Sequence, residues 1–168
     1  VPTPGEVNGA RWDGIVADTK FSVDRGLYES GFDLTINSAT SGATIRYTTN
    51  GSAPSETTGT VYTGPLSVSG TSVVRAIAYR SGYRSTNVDT HTYLFPEDVV
   101  TQPTMSTTIT QDAVYGPQMV DALSSIPTIS LTFDDSNIDY DEVPVSVEFI
   151  NFEDGAKQVD AGAARFGS

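Results

Sequence analysis

An acidic stretch near the end of the chain has the residue types of a calcium-binding loop. Four oxygen-bearing side chains alternate with other residues there: Asp135, Asn137, Asp139 and Asp141. Ca²⁺ prefers oxygen ligands, and alternating loop positions can converge on one ion. Tyr140 stands where an EF-hand requires glycine, and no glutamate occupies the twelfth position. We therefore predict a solvated acidic loop and keep calcium, the one cofactor considered, as the alternative.

Aromatic side chains beside turns form a second candidate site, because their rings could stack on sugar faces. Trp12 is the only tryptophan, and Tyr62 and Tyr83 lie next to predicted turns. Tyr47 and Tyr93 fall instead within predicted strands, where a tyrosine ring often fills the core. The candidate ligand-binding residues are therefore Trp12, Tyr62 and Tyr83. The competing interpretation is that these rings pack against the core, with Trp12 anchoring the segment that precedes the strands.

The sequence contains no residue set typical of catalysis. His91 is the only histidine, so a multi-histidine metal site is excluded, and we expect this side chain at a surface or edge-strand position. The absence of cysteine excludes disulfides, thiolate nucleophiles and iron–sulfur clusters. No G-x-S-x-G motif marks a nucleophilic serine. We therefore predict that the chain has no catalytic residue and is not an enzyme.

The charge is strongly negative and unevenly distributed. The net charge is -12, of which residues 1–95 contribute -1 (seven basic, eight acidic) and residues 96–168 contribute -11 (two basic, thirteen acidic). So few basic side chains could not neutralise a phosphate backbone, and we expect no nucleic-acid partner. No run of about 20 apolar residues predicts a membrane span.

Short strands separated by turn residues at regular spacing predict an all-β fold. Residues 1–17 have the proline and glycine content of a linker, and residues 18–95 predict an immunoglobulin- or fibronectin-III-like sandwich. Residues 96–125 predict an irregular connector with at most one short helix, near residues 118–123. Residues 126–168 predict a partial, mainly β domain, with strands at 127–133 and 145–150 and a third beginning near Gln158.

Three ordered motifs carry a resemblance to a known domain family. They are IRYTTNGSAP at residues 45–54, YTGPL at residues 62–66 and VRAIAYRSG at residues 74–82. This segment resembles the C-terminal-type domain of chitobiases and β-hexosaminidases, also called fibronectin-III-associated. The resemblance implies a β-sandwich with an accessory role and no catalytic residue.

Two flanking segments carry further resemblances. PTPGEVNG at residues 2–9 is similar to the end of lamin-tail-like domains. IPTISLTFDDSNI, with VSVEFINFEDGAKQVDAGAARFGS after it, is similar to the start of the spore-coat-H-type (CotH) kinase-like domain. That similarity implies that residues 126–168 begin an atypical kinase fold.

These observations lead us to expect a non-catalytic accessory or spacer module of a secreted, multidomain bacterial protein, located extracellularly or at the cell surface. Weak contact with a carbohydrate or a cell surface would be its binding function. The expected partners are neighbouring domains of the same parent chain, with polysaccharide or self-association as further options. One alternative is a structural subunit of an extracellular filament, sheath or surface layer. A second is a fragment of a spore-coat-H-type atypical kinase.

Overall fold

The first unit is built from eleven short strands, formed where β-branched and aromatic residues alternate with polar ones. The computed structural model describes residues 12–133, 143–152, 155 and 157–163. The strands are β1 (Gly14–Ile15), β2 (Thr19–Phe21), β3 (Gly26–Leu27), β4 (Phe32–Leu34), β5 (Ile36–Ser38), β6 (Thr44–Thr48), β7 (Thr60–Val61), β8 (Leu66–Val68), β9 (Ser72–Tyr79), β10 (Tyr83–Arg84) and β11 (Asp89–Leu94).

These strands form two layers. One layer is a five-stranded sheet in the order β3-β11-β9-β6-β7, in which β9 pairs antiparallel with both β11 and β6. The facing layer consists of the antiparallel pairs β2-β5 and β4-β8. Residues 32–36, which read as one strand in sequence, are divided between these two pairs. This architecture confirms the predicted all-β sandwich.

The core lies between the two layers. Leu34 and Ile36 come from the paired strands, and Val74 and Ala76 come from β9; each is at most 1% exposed. Tyr93 of β11 is completely buried among them, and its hydroxyl donates a hydrogen bond to the Val23 carbonyl at 2.9 Å. Burial raises the pKa of this hydroxyl far above its ordinary value. A strand tyrosine therefore fills the core, as the sequence predicts.

The segment before β2 is attached more firmly than a linker would be. Residues 14 and 15 form β1, which pairs in parallel with β10, and the Val16 side chain is 3% exposed within the core. Trp12 is 54% exposed, so the expectation that its ring anchors this segment is wrong. Backbone pairing and Val16 hold the segment instead. The lamin-tail-like motif at residues 2–9 lies outside the described residues.

The connector contains more helix than the single short one expected from its sequence. Its helices are α1 (Pro96–Val100), α2 (Thr107–Thr110) and α3 (Met119–Ser125), with a 3-10 turn at Gly116–Gln118 before α3. Helix α3 lies where a helix was predicted, and only Met119, Val120 and Leu123 among its residues are half-buried. The additional helices are one turn long, which is too short for a periodic apolar pattern to reveal.

Helix α1 is fixed to the sandwich at its start. Pro96 occupies the first turn, where a missing backbone N–H costs nothing. The Asp98 carboxylate accepts a hydrogen bond from the Thr71 backbone N–H at 2.6 Å, and the Thr71 hydroxyl accepts one from the Phe95 N–H at 2.9 Å. The connector therefore leaves the sandwich in a defined direction. No helix among the described residues combines the length and the apolar character needed to cross a membrane.

A second, three-stranded antiparallel sheet follows the connector. Its strands are β12 (Thr128–Thr132), β13 (Val143–Ile150) and β14 (Lys157–Ala163), in the order β12-β13-β14. The third strand predicted near Gln158 is therefore present. The strand predicted at residues 145–150 is also present: it forms part of β13, which is central and pairs on both sides.

Asn151 joins this sheet to the connector and generates a stability prediction. Its φ is 60°, and its side-chain amide donates hydrogen bonds to the carbonyls of Ser124 (3.0 Å) and Ile126 (3.2 Å) at the end of α3. Asparagine tolerates the left-handed region, whereas alanine is strained there. We expect Asn151→Ala to lower the free energy of unfolding by about 1–2 kcal/mol, measured by urea denaturation.

Two further variants separate the effect of backbone strain from that of the lost hydrogen bonds. Asn151→Gly restores the backbone freedom without the hydrogen bonds, so its loss should be smaller than that of the alanine variant. Asn37→Ala changes an exposed strand asparagine and should shift stability by less than about 0.5 kcal/mol. Equal stability of Asn151→Ala and the unsubstituted protein would contradict this role for Asn151.

Candidate functional site

The contact between the sandwich and the second sheet is built around a buried charge. Glu148 of β13 is completely buried and faces β11. Its Oε1 accepts a hydrogen bond from the Thr92 backbone N–H at 3.0 Å, and its Oε2 accepts one from the Thr92 hydroxyl. Arg25 Nη1 lies 3.2 Å from the same Oε1 as a charge contact. The carboxylate is therefore held by one strand of the sandwich and by one arginine.

This carboxylate occupies an open strand edge. Strand β3 pairs only with Tyr93 and Leu94 of β11, which leaves the first half of β11 without a neighbour on that side. The Thr90 N–H donates to Gln158 Oε1 at 3.1 Å, and the Thr92 N–H donates to Glu148. Side-chain oxygens of the second sheet thus accept hydrogen bonds that an adjacent strand would otherwise accept. The edge is covered and cannot pair with another chain at these positions.

Burial dominates the electrostatics of this contact. It raises the pKa of the Glu148 carboxyl, while the two hydrogen bonds from Thr92 and the positive charges of Arg25 and Arg75 act in the opposite direction. Arg25 also donates from Nη2 to Gln158 Oε1 at 3.2 Å. A buried ion pair adds little net stability, but removing one partner leaves the other charge buried and uncompensated. The contact therefore fixes the relative position of the two units more than it stabilises either one.

A polar pocket of about 370 Å³ opens beside Arg25. It is lined by Asp18, Thr19, Lys20, Phe21, Asp24, Arg25, Asp89 and His91. The Thr19 hydroxyl donates a hydrogen bond to Asp89, and the ring of His91 stacks on Phe21 with centroids 4.0 Å apart. The pocket brings two segments of the chain together, residues 18–25 and residues 89–91.

His91 in this pocket is electrically neutral over the physiological range. Burial, which has the largest effect, and the positive charge of Arg25 together lower the pKa of its imidazole to about 3, although a hydrogen bond with the Val23 backbone acts in the opposite direction. A general acid–base catalyst needs a pKa near the working pH, so His91 is unsuited to that role. The sequence predicts a surface or edge-strand position for His91. The residue does lie in the open half of β11, but its side chain is half-buried and faces inward.

The predicted aromatic site residues differ in their exposure. Trp12 is exposed, whereas Tyr62 and Tyr83 are half-buried and pack against the core. The Tyr62 ring meets Tyr47 edge-on at 6.3 Å, and the Tyr83 ring covers Gly14 and carries the Arg80 guanidinium 4.5 Å from its centre. Ligand contact by these three residues stays a prediction.

The predicted calcium ligands Asp135, Asn137, Asp139 and Asp141 lie outside the described residues. Within the part of the chain that the structure describes, no three His, Cys, Asp or Glu side chains cluster in a way that could hold a metal ion. A calcium site in the acidic loop stays a prediction.

Sequence reasoning missed Arg25, Glu148 and Gln158. In β13 the valines and phenylalanine alternate with Ser146 and Glu148, a pattern that normally places the polar residues in solvent. The structure places Ser146 and Glu148 toward the sandwich, where both are at most 2% exposed. The alternation predicts two faces correctly, but it contains no signal for which face is covered.

His91 generates a prediction about acid stability. The unfolded chain takes up a proton on this imidazole near its ordinary pKa of 6.5, whereas the folded chain does so only near 3. Stability therefore falls as the pH drops through this window, by about 2 kcal/mol between pH 7 and pH 5. We expect His91→Phe, which keeps the stacking on Phe21, to remove this part of the pH dependence in urea denaturation.

The control is Lys20→Met, which alters a side chain that lines the same pocket and leaves the imidazole in place. Its pH dependence between 7 and 5 should match that of the unsubstituted protein. Since His91 is the only histidine, an NMR titration also reads its pKa directly. A midpoint near 6.5 would contradict the assignment.

One comparison with known proteins coincides with the sandwich. Residues 23–90 match the family model of the Chitobiase/beta-hexosaminidase C-terminal domain, a range that includes all three motifs at residues 45–54, 62–66 and 74–82. No curated protein and no solved structure matches the chain. The similarity of residues 126–168 to the start of a spore-coat-H-type kinase domain receives no support. The match supports a chitobiase C-terminal-type domain over residues 23–90, and such a domain is generally a non-catalytic accessory domain.

Proposed function

We propose that this chain is a non-catalytic spacer segment of a secreted, multidomain bacterial protein and that it acts outside the cell or at its surface. Its role is to hold neighbouring domains of the same protein in a fixed relative orientation. The observation that carries this proposal is the buried contact of Glu148 with Thr92 and Arg25. That contact joins the sandwich to the sheet behind it.

Hydrogen bonds at both ends of the connector support the same function. At its start, Asp98 accepts from the Thr71 backbone at the β8–β9 turn. At its end, Asn151 donates to the carbonyls of Ser124 and Ile126, at the end of α3. Together with the Glu148 contact, these bonds remove the freedom that a linker between two domains would have. A spacer whose ends are fixed in this way transmits orientation as well as distance.

A weak carbohydrate contact is the binding function that we propose beside this spacer role. Its support is the exposure of Trp12, whose ring is 54% accessible. Apolar ring faces of this kind can stack on the C–H face of a sugar, as aromatic residues with one wet side commonly do at interfaces. Tyr62 and Tyr83 offer less, because each ring already packs against the core.

The spacer proposal is tested by measuring a distance across the contact. The chain has no cysteine, so nitroxide labels can be placed at Thr63→Cys in the sandwich and Val159→Cys in the second sheet, both exposed. We expect one narrow distance distribution by electron–electron double resonance. In a Glu148→Ala background, the Arg25 charge loses its counter-ion and the Thr92 N–H loses its acceptor, which costs about 3–5 kcal/mol, and the distribution should broaden.

The matched control is Glu97→Ala, which removes an exposed carboxylate from α1 and should leave the distribution narrow. A broad distribution in the unsubstituted protein would mean that the two units move freely, and the spacer proposal would then fail. Narrow distributions in both backgrounds would show that Glu148 is not what holds them.

The carbohydrate proposal is tested by affinity gel electrophoresis with soluble polysaccharides. We expect retardation in at least one polysaccharide gel and a loss of that retardation in Trp12→Ala, because the stacking ring is removed. Tyr115→Ala is the control, since Tyr115 is also exposed, at 63%, but lies in the connector. Equal migration of all three proteins in every gel would contradict sugar binding through Trp12.

A further inference from the structure

The turn that follows β6 contains an asparagine directly before a glycine. The Asn50 side chain is exposed there, and Gly51 has a φ of 82°. This left-handed backbone conformation strains any residue that carries a side chain, whereas glycine adopts it freely. The geometry of the turn therefore requires glycine after Asn50, and this requirement places an unhindered main-chain nitrogen next to the side-chain amide of Asn50.

Hydrogen bonds hold three successive residues of this turn in place. Asn50 Oδ1 accepts a bond from the Ser52 hydroxyl at 2.7 Å and one from the Ser52 backbone N–H at 3.2 Å. The Gly51 carbonyl accepts from Arg75 Nη1 at 3.0 Å, and the Ser52 carbonyl accepts from the Thr48 hydroxyl at 2.6 Å. Two donors of Ser52 are thus fixed on the oxygen of the Asn50 amide.

This arrangement favours attack of the Gly51 main-chain nitrogen on Cγ of Asn50. The attack develops a negative charge on Oδ1, which is the atom that the two Ser52 donors already contact. Donors fixed in advance at such an oxygen stabilise the charge with little reorganisation. Gly51 has no Cβ to obstruct the closing ring. The turn therefore combines an exposed amide, an accessible nucleophile and donors for the intermediate.

We infer that Asn50 is a site of spontaneous deamidation, which the hydrogen bonds from Ser52 promote in the folded protein. The bond from the Gly51 nitrogen to Cγ forms, and the bond from Cγ to Nδ2 breaks. Nδ2 leaves as ammonia, which carries away the proton that the Gly51 nitrogen gives up, and a succinimide ring remains. Water then adds to one of the two ring carbonyls and opens the ring, which yields aspartate or isoaspartate.

The modified turn lies beside the second sheet. A Cβ placed on Gly51 would be 3.6 Å from Cγ2 of Thr132 in β12. Either product adds a negative charge to the turn, and isoaspartate also lengthens the main chain by one methylene before the carbonyl that Arg75 holds. The reaction itself needs only the turn, so the inference does not depend on the proposed spacer role.

The test is incubation of the full chain in mildly alkaline buffer, followed by trypsin digestion and by chromatography with mass spectrometry that separates aspartate from isoaspartate. Trypsin releases residues 47–75, in which Asn50 is the only asparagine, and residues 26–46, in which Asn37 is the only one. Asn37 is also exposed, but Ser38 follows it in β5. We expect both products at position 50, formed at least about tenfold faster than at position 37, where the next residue carries a Cβ.

Variants of Ser52 separate the effect of the fold from that of the dipeptide. Ser52→Ala removes the hydroxyl donor and should slow the reaction about fivefold, the effect of one ordinary hydrogen bond. Ser52→Thr keeps a hydroxyl and should retain the rate. In urea the donors are no longer fixed, so all these chains should react equally. The control is Ser41→Ala, which removes an exposed hydroxyl from another turn and should leave the rate at Asn50 unaltered.

Equal rates at Asn50 and Asn37 would overturn the inference. Aspartate without isoaspartate at position 50 would also overturn it, because direct attack of water on the amide yields aspartate alone. Equal rates for the folded Ser52→Ala variant and the unsubstituted protein would overturn the role of the fold. Circular dichroism verifies that the variants fold. Ser52→Cys, whose thiol is a weak donor of similar size, replaces the alanine variant if that variant does not fold.

Discussion

The open edge of β11 is the constraint on which the arrangement of the two units depends. Since β3 reaches only the last two residues of this strand, the N–H groups of Thr90 and Thr92 need acceptors from elsewhere. Gln158 and Glu148 supply them. A buried carboxylate is costly unless it is paired and hydrogen-bonded, and Arg25 lies 3.2 Å from it. The sandwich and the second sheet are thus joined by hydrogen bonds and charge.

Joining two sheets through polar groups determines the rest of the surface. The residues that complete the β11 edge occupy one face of β13, so the valines and phenylalanine of the same strand must lie on the other. On that other face Val143 and Val145 are buried, whereas Ile129 and Leu131 of the neighbouring strand β12 are more than half exposed. The sandwich, by contrast, buries its apolar residues between its two layers.

The polar pocket beside Arg25 shows how burial and a neighbouring charge change the pKa of a side chain. His91 lies in a strand, stacks on Phe21 and is kept neutral by burial and by the nearby guanidinium. The pocket contains acidic and basic side chains, but the pKa of its histidine is far from the range that acid–base catalysis uses. This agrees with the generally non-catalytic character of the domain type that residues 23–90 match.

Much of the architecture could be predicted from the sequence, because strand alternation, turn residues and the three motifs are local signals. They predict the sandwich, the helix near residues 118–123 and all three strands of the second sheet. The same signals determine that Leu34 and Ile36 share a face, although not that β4 and β5 pair with different strands. Only the tertiary structure decided which face of β13 is covered, that Glu148 meets Arg25 across the chain, and that Trp12 is exposed while Tyr62 and Tyr83 pack inward. The physical reason is that alternation specifies two faces of a strand, whereas the groups available at a neighbouring strand edge decide which face is buried.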